Sequence, residues 1–328
     1  MKICIVGLGA IGGLFAARLA RAGFDVSAVA RGATLDAVQR DGLTFVDGSS
    51  PTPESIRLPI KASKDAIALG EQDVIIVAVK TTGLASVALS IAPLLGPDTA
   101  VLSAMNGVPW WFFEGLSDSL AHIRIPSVDP EGGVSQSIPA ARVVGCVTHL
   151  SAMTPAPGVV RSVAGNRLIV GEPSGGATPR SQSIAGALRD AGFDVEETGA
   201  IQQEIWFKLW GNMTVNPVSA LTGATGDRIL DDDYVRHFMS RCMVEAAEIG
   251  RRIGLPIEQD PEQRHVVTRK LGAFKTSMLQ DVEASRPVEL DALVHAVLEI
   301  SRQVGVPTPN IDALFGLARL QARTRGLY

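Results

Sequence analysis

The chain is poor in the residues from which special-purpose sites are most often built. Its three cysteines in 328 residues, Cys4, Cys146 and Cys242, are odd in number and far apart. They form neither a Cys-x-x-Cys pair nor a Cys/His cluster, which argues against a disulfide framework and a zinc site and fits a reducing, cytoplasmic setting. The five histidines show no metal-ligand spacing with carboxylates or cysteines, so no metal is expected. An excess of one charge is also missing: the net charge is -4, with no basic run or stripe to neutralise a phosphate backbone, so nucleic acid is not an expected partner. Nor is there an apolar run of the ~18 residues that a membrane-spanning helix needs. The apolar start "ICIVGLGAIGGLFAA" follows Lys2 as in a secretory leader, but it is dense in glycine and runs into Arg18 and Arg21, unlike a leader.

What the chain does have is apolar material: 46% hydrophobic against 20% charged residues, enough for a globular protein, at a length that favours two cores. Residues 2–6, "KICIV", read as a strand, followed by glycines and a helical pattern ending at Gly23. "FDVSAVA", "DVIIVAVK" at 73–80 and "TAVLSAMNG" at 99–107 are further strands, each nearly all apolar, as in a parallel sheet covered on both faces by helices. "RVVGCVTHLSAM" and "GVVRSVAGNRLIVGE" look like antiparallel additions, with His149 as a structural histidine, and "FDVEET" at 193–198 like a last strand. From about 199 the periodicity is helical. The expected architecture is α/β, with a Rossmann-type dinucleotide-binding domain over 1–198 followed by an all-α domain over 199–328. "DDDY" at 231–234 reads as a solvated helix start.

"GLGAIG" sets Gly7, Gly9 and Gly12 in GxGxxG spacing, with Leu8, Ala10 and Ile11 between them, directly after a strand and before a helix. In that context the first glycine permits the tight turn and the second lets backbone approach a pyrophosphate. The third lets helix pack on strand, and the phosphates sit at a helix N-terminus. An NAD site usually carries an acidic residue about 20 residues on, at the end of the second strand, to bond the ribose hydroxyl. Here that position reads Ala30, Arg31, Gly32, and Asp25 lies too early in the strand. A guanidinium pairs with a 2′-phosphate, so Arg31 points to NADP.

In the helical half, "EIWFKLWGNMTVNPVSAL" spaces Lys208, Asn212 and Asn216 by four, one polar face between bulky apolar flanks. That face reads either as a cleft wall or as the exposed side of an amphipathic helix. Pro217 should end or kink the helix at Asn216. Further on, Pro287 suits the first turn of a helix to about Val304, which would leave Glu289 near its start, where an acidic residue complements the dipole.

"GLGAIG", "KTTGL", "NGVP", "KLWGNMTVNPVSALT" and "SMLQDVEASRPVELD" together resemble the ketopantoate reductase (2-dehydropantoate 2-reductase) family over nearly the whole chain. That resemblance implies NADPH on the N-terminal domain and an active site in a cleft toward the helical one. It also implies reduction of a 2-oxo acid such as ketopantoate, as in pantothenate biosynthesis, and allows a homodimer. By it, Lys208 matches the catalytic lysine and general acid, and Glu289 a glutamate near that lysine and the nicotinamide ribose. Asn212, Asn216 and Ser277 match substrate-binding residues. Lys80 and Asn106 match cofactor-proximal positions, and Ser151 matches a backbone contact to the nicotinamide.

Three places depart from the family pattern: Gly226 and Phe274 stand where asparagines are expected, and Trp110, Trp111, Phe112 and Phe113 follow "NGVP". Loss of two amides favours a less hydroxylated substrate, while the aromatic cluster reads as pocket, core or subunit interface. Two other readings stay open on this sequence: a reductase of an imine or another carbonyl, and a non-catalytic NADP-binding sensor.

Overall fold

Strands buried on both faces form the centre of the first unit. In the computed structural model, which describes residues 1–48 and 53–328, that unit comprises Met1–Met105 and Gly132–Ile201. Its strands are β1 (Lys2–Val6), β2 (Asp25–Val29), β3 (Leu43–Val46), β4 (Ser55–Leu58), β5 (Lys61–Ser63), β6 (Gln72–Val77), β7 (Leu95–Ser103), β8 (Val143–Ala156), β9 (Val159–Gly171) and β10 (Asp194–Glu197). Among the described residues they form one sheet in the order β4-β3-β9-β8-β7-β6-β1-β2-β5. β10 joins it by pairing with β9. The contiguous apolar runs behave as their composition demands: Ile3, Cys4, Ile5 and Val6 of β1 are all at most 2% exposed, and β1 lies parallel to both β2 and β6. β8 and β9 form the expected antiparallel pair, and β9 is long enough to serve two further neighbours, β3 along its first residues and β10 along its last.

The helices of this unit are α1 (Ala10–Arg21), α2 (Gly32–Asp41), α3 (Thr81–Ser90), α4 (Gly133–Ser137) and α5 (Pro179–Asp190). Arg18 of α1 is 9% exposed; its guanidinium lies 4.7 Å from the Phe193 ring and donates to Asn166 Oδ1, so it serves packing. α5 starts at a capping box, in which the Thr178 hydroxyl accepts from the Ser181 N–H and the Ser181 hydroxyl from the Thr178 N–H. Beside that cap Glu172, 1% exposed, accepts from Arg180 Nε at 3.0 Å and Nη2 at 2.6 Å and from the Thr178 hydroxyl. Arg180 also donates to the Ala141 and Val143 carbonyls, tying α5 to the start of β8.

The second unit comprises Asn106–Glu131 and Gln202–Tyr328. Its helices are α6 (Ile201–Thr222), α7 (Gly226–Asp231), α8 (Asp233–Arg252), α9 (Pro261–Arg269), α10 (Ser277–Glu283), α11 (Ala296–Val304), preceded by a π-helical turn over Asp291–His295, and α12 (Pro309–Thr324). Asp232 caps α8 by accepting from the Val235 N–H, so the acidic run is a helix start. Trp206 and Trp210 of α6 are each 1% exposed, and Trp210 Nε1 donates to the Met243 carbonyl of α8.

Residues 106–131, which the expected boundary near 198 leaves in the N-terminal half, pack with the helices instead. Phe112, fully buried, lies with its ring centroid 6.0 Å from that of Trp206, and Trp111 is 3% exposed, so this part of the aromatic cluster is core. Glu299 of α11 accepts from the Ser127 amide and hydroxyl, and Gln303 exchanges hydrogen bonds with the Arg124 backbone. A boundary drawn at one position cannot represent an excursion that leaves the sheet after β7 and returns for β8.

Two helix boundaries differ from expectation. α6 does not stop at Asn216 but runs through Pro217 to Thr222. The proline deprives the Met213 carbonyl of its usual intrahelical donor. Val218, Ser219 and Ala220 are nevertheless buried, and Gln321 of α12 donates to the Ala220 carbonyl, so packing holds the last turn. Pro287 lies outside the next helix, because the Val288 N–H is taken by the Leu327 carbonyl at the C-terminus and the chain stays non-helical until Leu290. Glu289 therefore immediately precedes the helix.

Burial alone would raise the Glu172 carboxyl, but the hydrogen bonds from Arg180 and Thr178 outweigh it and bring it below its ordinary value of 4.5. A depressed folded-state value means that its stabilisation is fully present above about pH 4.5 and is lost as pH falls through the lower folded value. Glu172→Gln should therefore lower the thermal midpoint of the sheet unit at pH 7 by several degrees, equivalent to roughly 2 kcal/mol given that Arg180 is partly solvated. In melts followed by circular dichroism, the gap between variant and wild type should close as pH falls below 4.5. A gap that stays constant down to acid would contradict the assignment.

Candidate active site

The turn between β1 and α1 has the geometry its glycines suggest. Gly7 has φ +99°, and a Cβ there would sit 2.7 Å from Val79 Cγ1. A Cβ on Gly12 would overlap the Gly7 carbonyl oxygen. These two glycines are required by backbone conformation and close packing. Gly9 differs: a Cβ on it would meet nothing within 4 Å, so the second glycine leaves open space before the N-terminus of α1. The first turn of α1 carries no acidic residue and Gly9 supplies no side-chain cap, so the N–H groups around Ala10, Ile11 and Gly12 are left for an anion. Beside Gly9 lies a cavity of about 330 Å³ bounded by Leu8, Gly13, Thr34 and the β8–β9 turn. The residues present thus fit a dinucleotide pyrophosphate.

Arg31 follows β2 and stands at the N-cap of α2 without capping it. It is exposed and makes no hydrogen bond or ion pair among the described residues, unlike Arg18, which is committed to Phe193. Lys80 precedes α3 three residues after β6 ends. Ser151 lies exposed on β8, opposite Ala164 of β9 and beside a register shift.

The remaining expected site residues all belong to the helical unit. Lys208, Asn212 and Asn216 follow one another along α6, each about 6 Å further along the axis. Lys208 Nζ donates to Asn106 Oδ1 at 2.8 Å. Asn106, expected beside the cofactor, is thereby grouped with the lysine. The side-chain amides of Asn212 and Asn216 make no hydrogen bond among the described residues, although Asn216 is only 6% exposed. Ser277 opens α10 with its hydroxyl exposed, while Thr276 performs the capping by accepting from the Leu279 N–H.

The turn bearing Asn106 is fixed from the other side as well. Gly107 has φ +81°, and a Cβ there would come within 2.6 Å of the Ala292 Cβ, while the Val108 N–H donates to the Ala292 carbonyl at 2.9 Å. Ala292 lies in the π-helical turn that follows Glu289. The contact Lys208–Asn106 and the contact Val108–Ala292 thus bind α6 to the corner that carries Glu289. Asp291, in the same turn, accepts from the Tyr328 hydroxyl at 2.6 Å. Burial, followed by the bond to Asp291, pushes the phenol above its ordinary range. Sequence reasoning missed this support, the π turn and the C-terminal latch, because neither has a local signature; the only sequence trace is Gly107, whose missing side chain allows the close approach. The cysteines take no part: Cys4, Cys146 and Cys242 are buried, and burial pushes the Cys4 thiol up to about 11 and that of Cys242 up to about 12.

Comparison with known proteins places the chain in a family. The family profile described as Ketopantoate reductase PanE/ApbA matches residues 3–175, and that of its C-terminal part, Ketopantoate reductase PanE/ApbA C terminal, matches residues 200–322. A curated 2-dehydropantoate 2-reductase from Mesorhizobium japonicum is 44% identical, covering all of both chains. Among solved structures, a protein from Ralstonia solanacearum MolK2 provisionally described as a ketopantoate reductase is 57% identical with TM-score 0.95, covering 100% of this chain and 99% of that one. The 2-dehydropantoate 2-reductase from Geobacter metallireducens GS-15 superimposes with TM-score 0.84 at 26% identity, over 98% and 100% of the two chains. Matched by both profiles and by a relative of equal length, the chain belongs to the ketopantoate reductase family and is an NADP-dependent oxidoreductase.

Proposed function

We propose that the protein reduces a small 2-oxo acid, ketopantoate or a relative, to the 2-hydroxy acid, with Lys208 as general acid. The observation that carries this reading is the row on α6: an ammonium held at 2.8 Å by Asn106, followed by two amides that have no protein partner, one of them nearly buried. A solvated helix face would not have its lysine held by a side chain from 102 positions away.

Gly7, Gly9, Gly12 and the N–H groups at Leu8, Ala10 and Ile11 would hold the dinucleotide pyrophosphate, and Arg31 the 2′-phosphate that distinguishes NADPH. Lys80 and the Ser151 backbone would meet the rest of the nucleotide. When bound, NADPH supplies the hydride. As C2 of the substrate takes up that hydride, its carbonyl oxygen gains negative charge, and the Lys208 ammonium meets that charge and hands over a proton. Such proton transfer is typically worth about 10²–10⁴ in rate. Asn106 holds the lysine in place, and Glu289 favours its charged form. Asn212, Asn216 and Ser277 bind the carboxylate and neighbouring polar groups, which sets the approach of the reacting carbon. Cytoplasmic residence, a homodimeric assembly and a division of labour between a nucleotide-binding unit and a helical unit that includes residues 106–131 belong to the same reading.

Two measurements test it. Lys208→Ala should lower kcat for 2-oxo acid reduction by about 10²–10⁴ while the NADPH dissociation constant moves less than about threefold. A variant that keeps its turnover would remove the lysine from the chemistry. Arg31→Ala should weaken NADPH binding by about 10–100-fold and leave NADH binding nearly unchanged, since only the phosphate loses its charge-assisted bonds. Equal effects on the two nucleotides would overturn the role of Arg31.

A further inference from the structure

Gly226 and Phe274 are a single structural feature. The Gly226 N–H donates to the Phe274 carbonyl at 2.9 Å. A Cβ on Gly226 would overlap Phe274 Cε1 and lie 2.7 Å from Cδ1 and Cζ, so the ring occupies the space that any side chain at 226 would need. Gly226 opens α7 in a backbone conformation that any residue adopts; its φ does not explain the glycine, and the ring does. The ring itself is only partly buried, and among the described residues it stacks on no other aromatic. One face is therefore seated on Gly226 while part of the ring remains accessible.

The location of the pair is set by its tethers. The Ser219 hydroxyl donates to the Ala224 carbonyl at 2.7 Å, which turns the chain after α6 back on itself and brings residue 224 level with a position one turn beyond Asn216. On the other side, Phe274 lies three residues before Ser277 in the loop that enters α10, and that loop is fixed to Gly226 by the backbone bond. Phe274 is thus tied to the segment that follows α6, beyond Asn216 and away from Lys208. At that end Asn216 is an unpartnered amide, 6% exposed, and the ring adds a wall that can neither donate nor accept a strong hydrogen bond.

We propose that Phe274, seated on Gly226, determines specificity: it selects 2-oxo acids whose side chain is apolar, branched aliphatic or aromatic, over those carrying a hydroxyl. The proposal rests on the reading of the site as that of a 2-oxo acid reductase. A substrate hydroxyl directed at this wall gives up its water and finds no partner, whereas a methyl group in its place gains contact. Differences of this kind are worth about 10–200-fold in kcat/KM.

The test uses two acids that differ by one oxygen, ketopantoate and 3,3-dimethyl-2-oxobutanoate, with phenylglyoxylate as the aromatic case and pyruvate as a substrate too short to reach the wall. NADPH oxidation by the wild type should favour 3,3-dimethyl-2-oxobutanoate over ketopantoate by at least about tenfold in kcat/KM. Phe274→Asn should shift that ratio at least about tenfold toward ketopantoate with much smaller change for pyruvate, and Phe274→Leu, which keeps an apolar wall, should retain the wild-type preference. A wild type that prefers ketopantoate, or a Phe274→Asn variant that scales all four acids equally, would overturn the proposal while leaving the reductase reading intact. No NADPH oxidation with any of the four acids would instead defeat the reductase reading, and this inference with it.

Discussion

The hydrogen bond from Lys208 Nζ to Asn106 Oδ1 is the contact on which the functional architecture depends. A lysine on a helix flank has four rotatable carbons and no reason to hold one position. Here an amide delivered from a distant part of the sequence holds it. That amide is itself held by a glycine that tolerates φ +81° and by the bond from Val108 to Ala292. The excursion of residues 106–131 out of the sheet unit exists, in physical terms, to make this delivery, and its anchoring through Glu299 and Gln303 on α11 keeps the delivery rigid.

The π-helical turn at Asp291–His295 fits the same logic. A π turn adds a residue per turn at some cost in regular hydrogen bonding and is found most often where function demands a displaced backbone. In this chain it follows Glu289, receives the Val108 N–H on Ala292 and accepts the C-terminal Tyr328 hydroxyl on Asp291. One corner therefore carries a carboxylate, fixes the turn of the lysine's partner and fastens the end of the chain. Pro217 shows the converse: a helix whose core-facing residues are sufficiently buried continues past a residue that removes one of its bonds.

Much of this could be read in the sequence because it depends on local pattern. The contiguous apolar stretches ICIV of β1 and VIIV of β6 announce a doubly covered parallel sheet, and GxGxxG after a strand announces the turn whose glycines meet Val79 and each other. The spacing of Lys208, Asn212 and Asn216 places three polar groups on one face, but it does not say what that face meets; the bond from Lys208 to Asn106 does. What the sequence does not carry is contact across long separations. Asn106 lies 102 positions from Lys208, Val288 meets Leu327, and Phe274 fills the space above Gly226; none of these pairs leaves a periodicity or a cap to be read.

The most direct test of the central claim is chemical rescue of Lys208→Ala with a small primary ammonium such as ethylammonium. If the role of residue 208 is to present an ammonium to the substrate oxygen, the loss of turnover should be partly reversed, at least about tenfold and in proportion to the protonated amine rather than total amine. A variant that turns over like the wild type and ignores added amine would contradict the account.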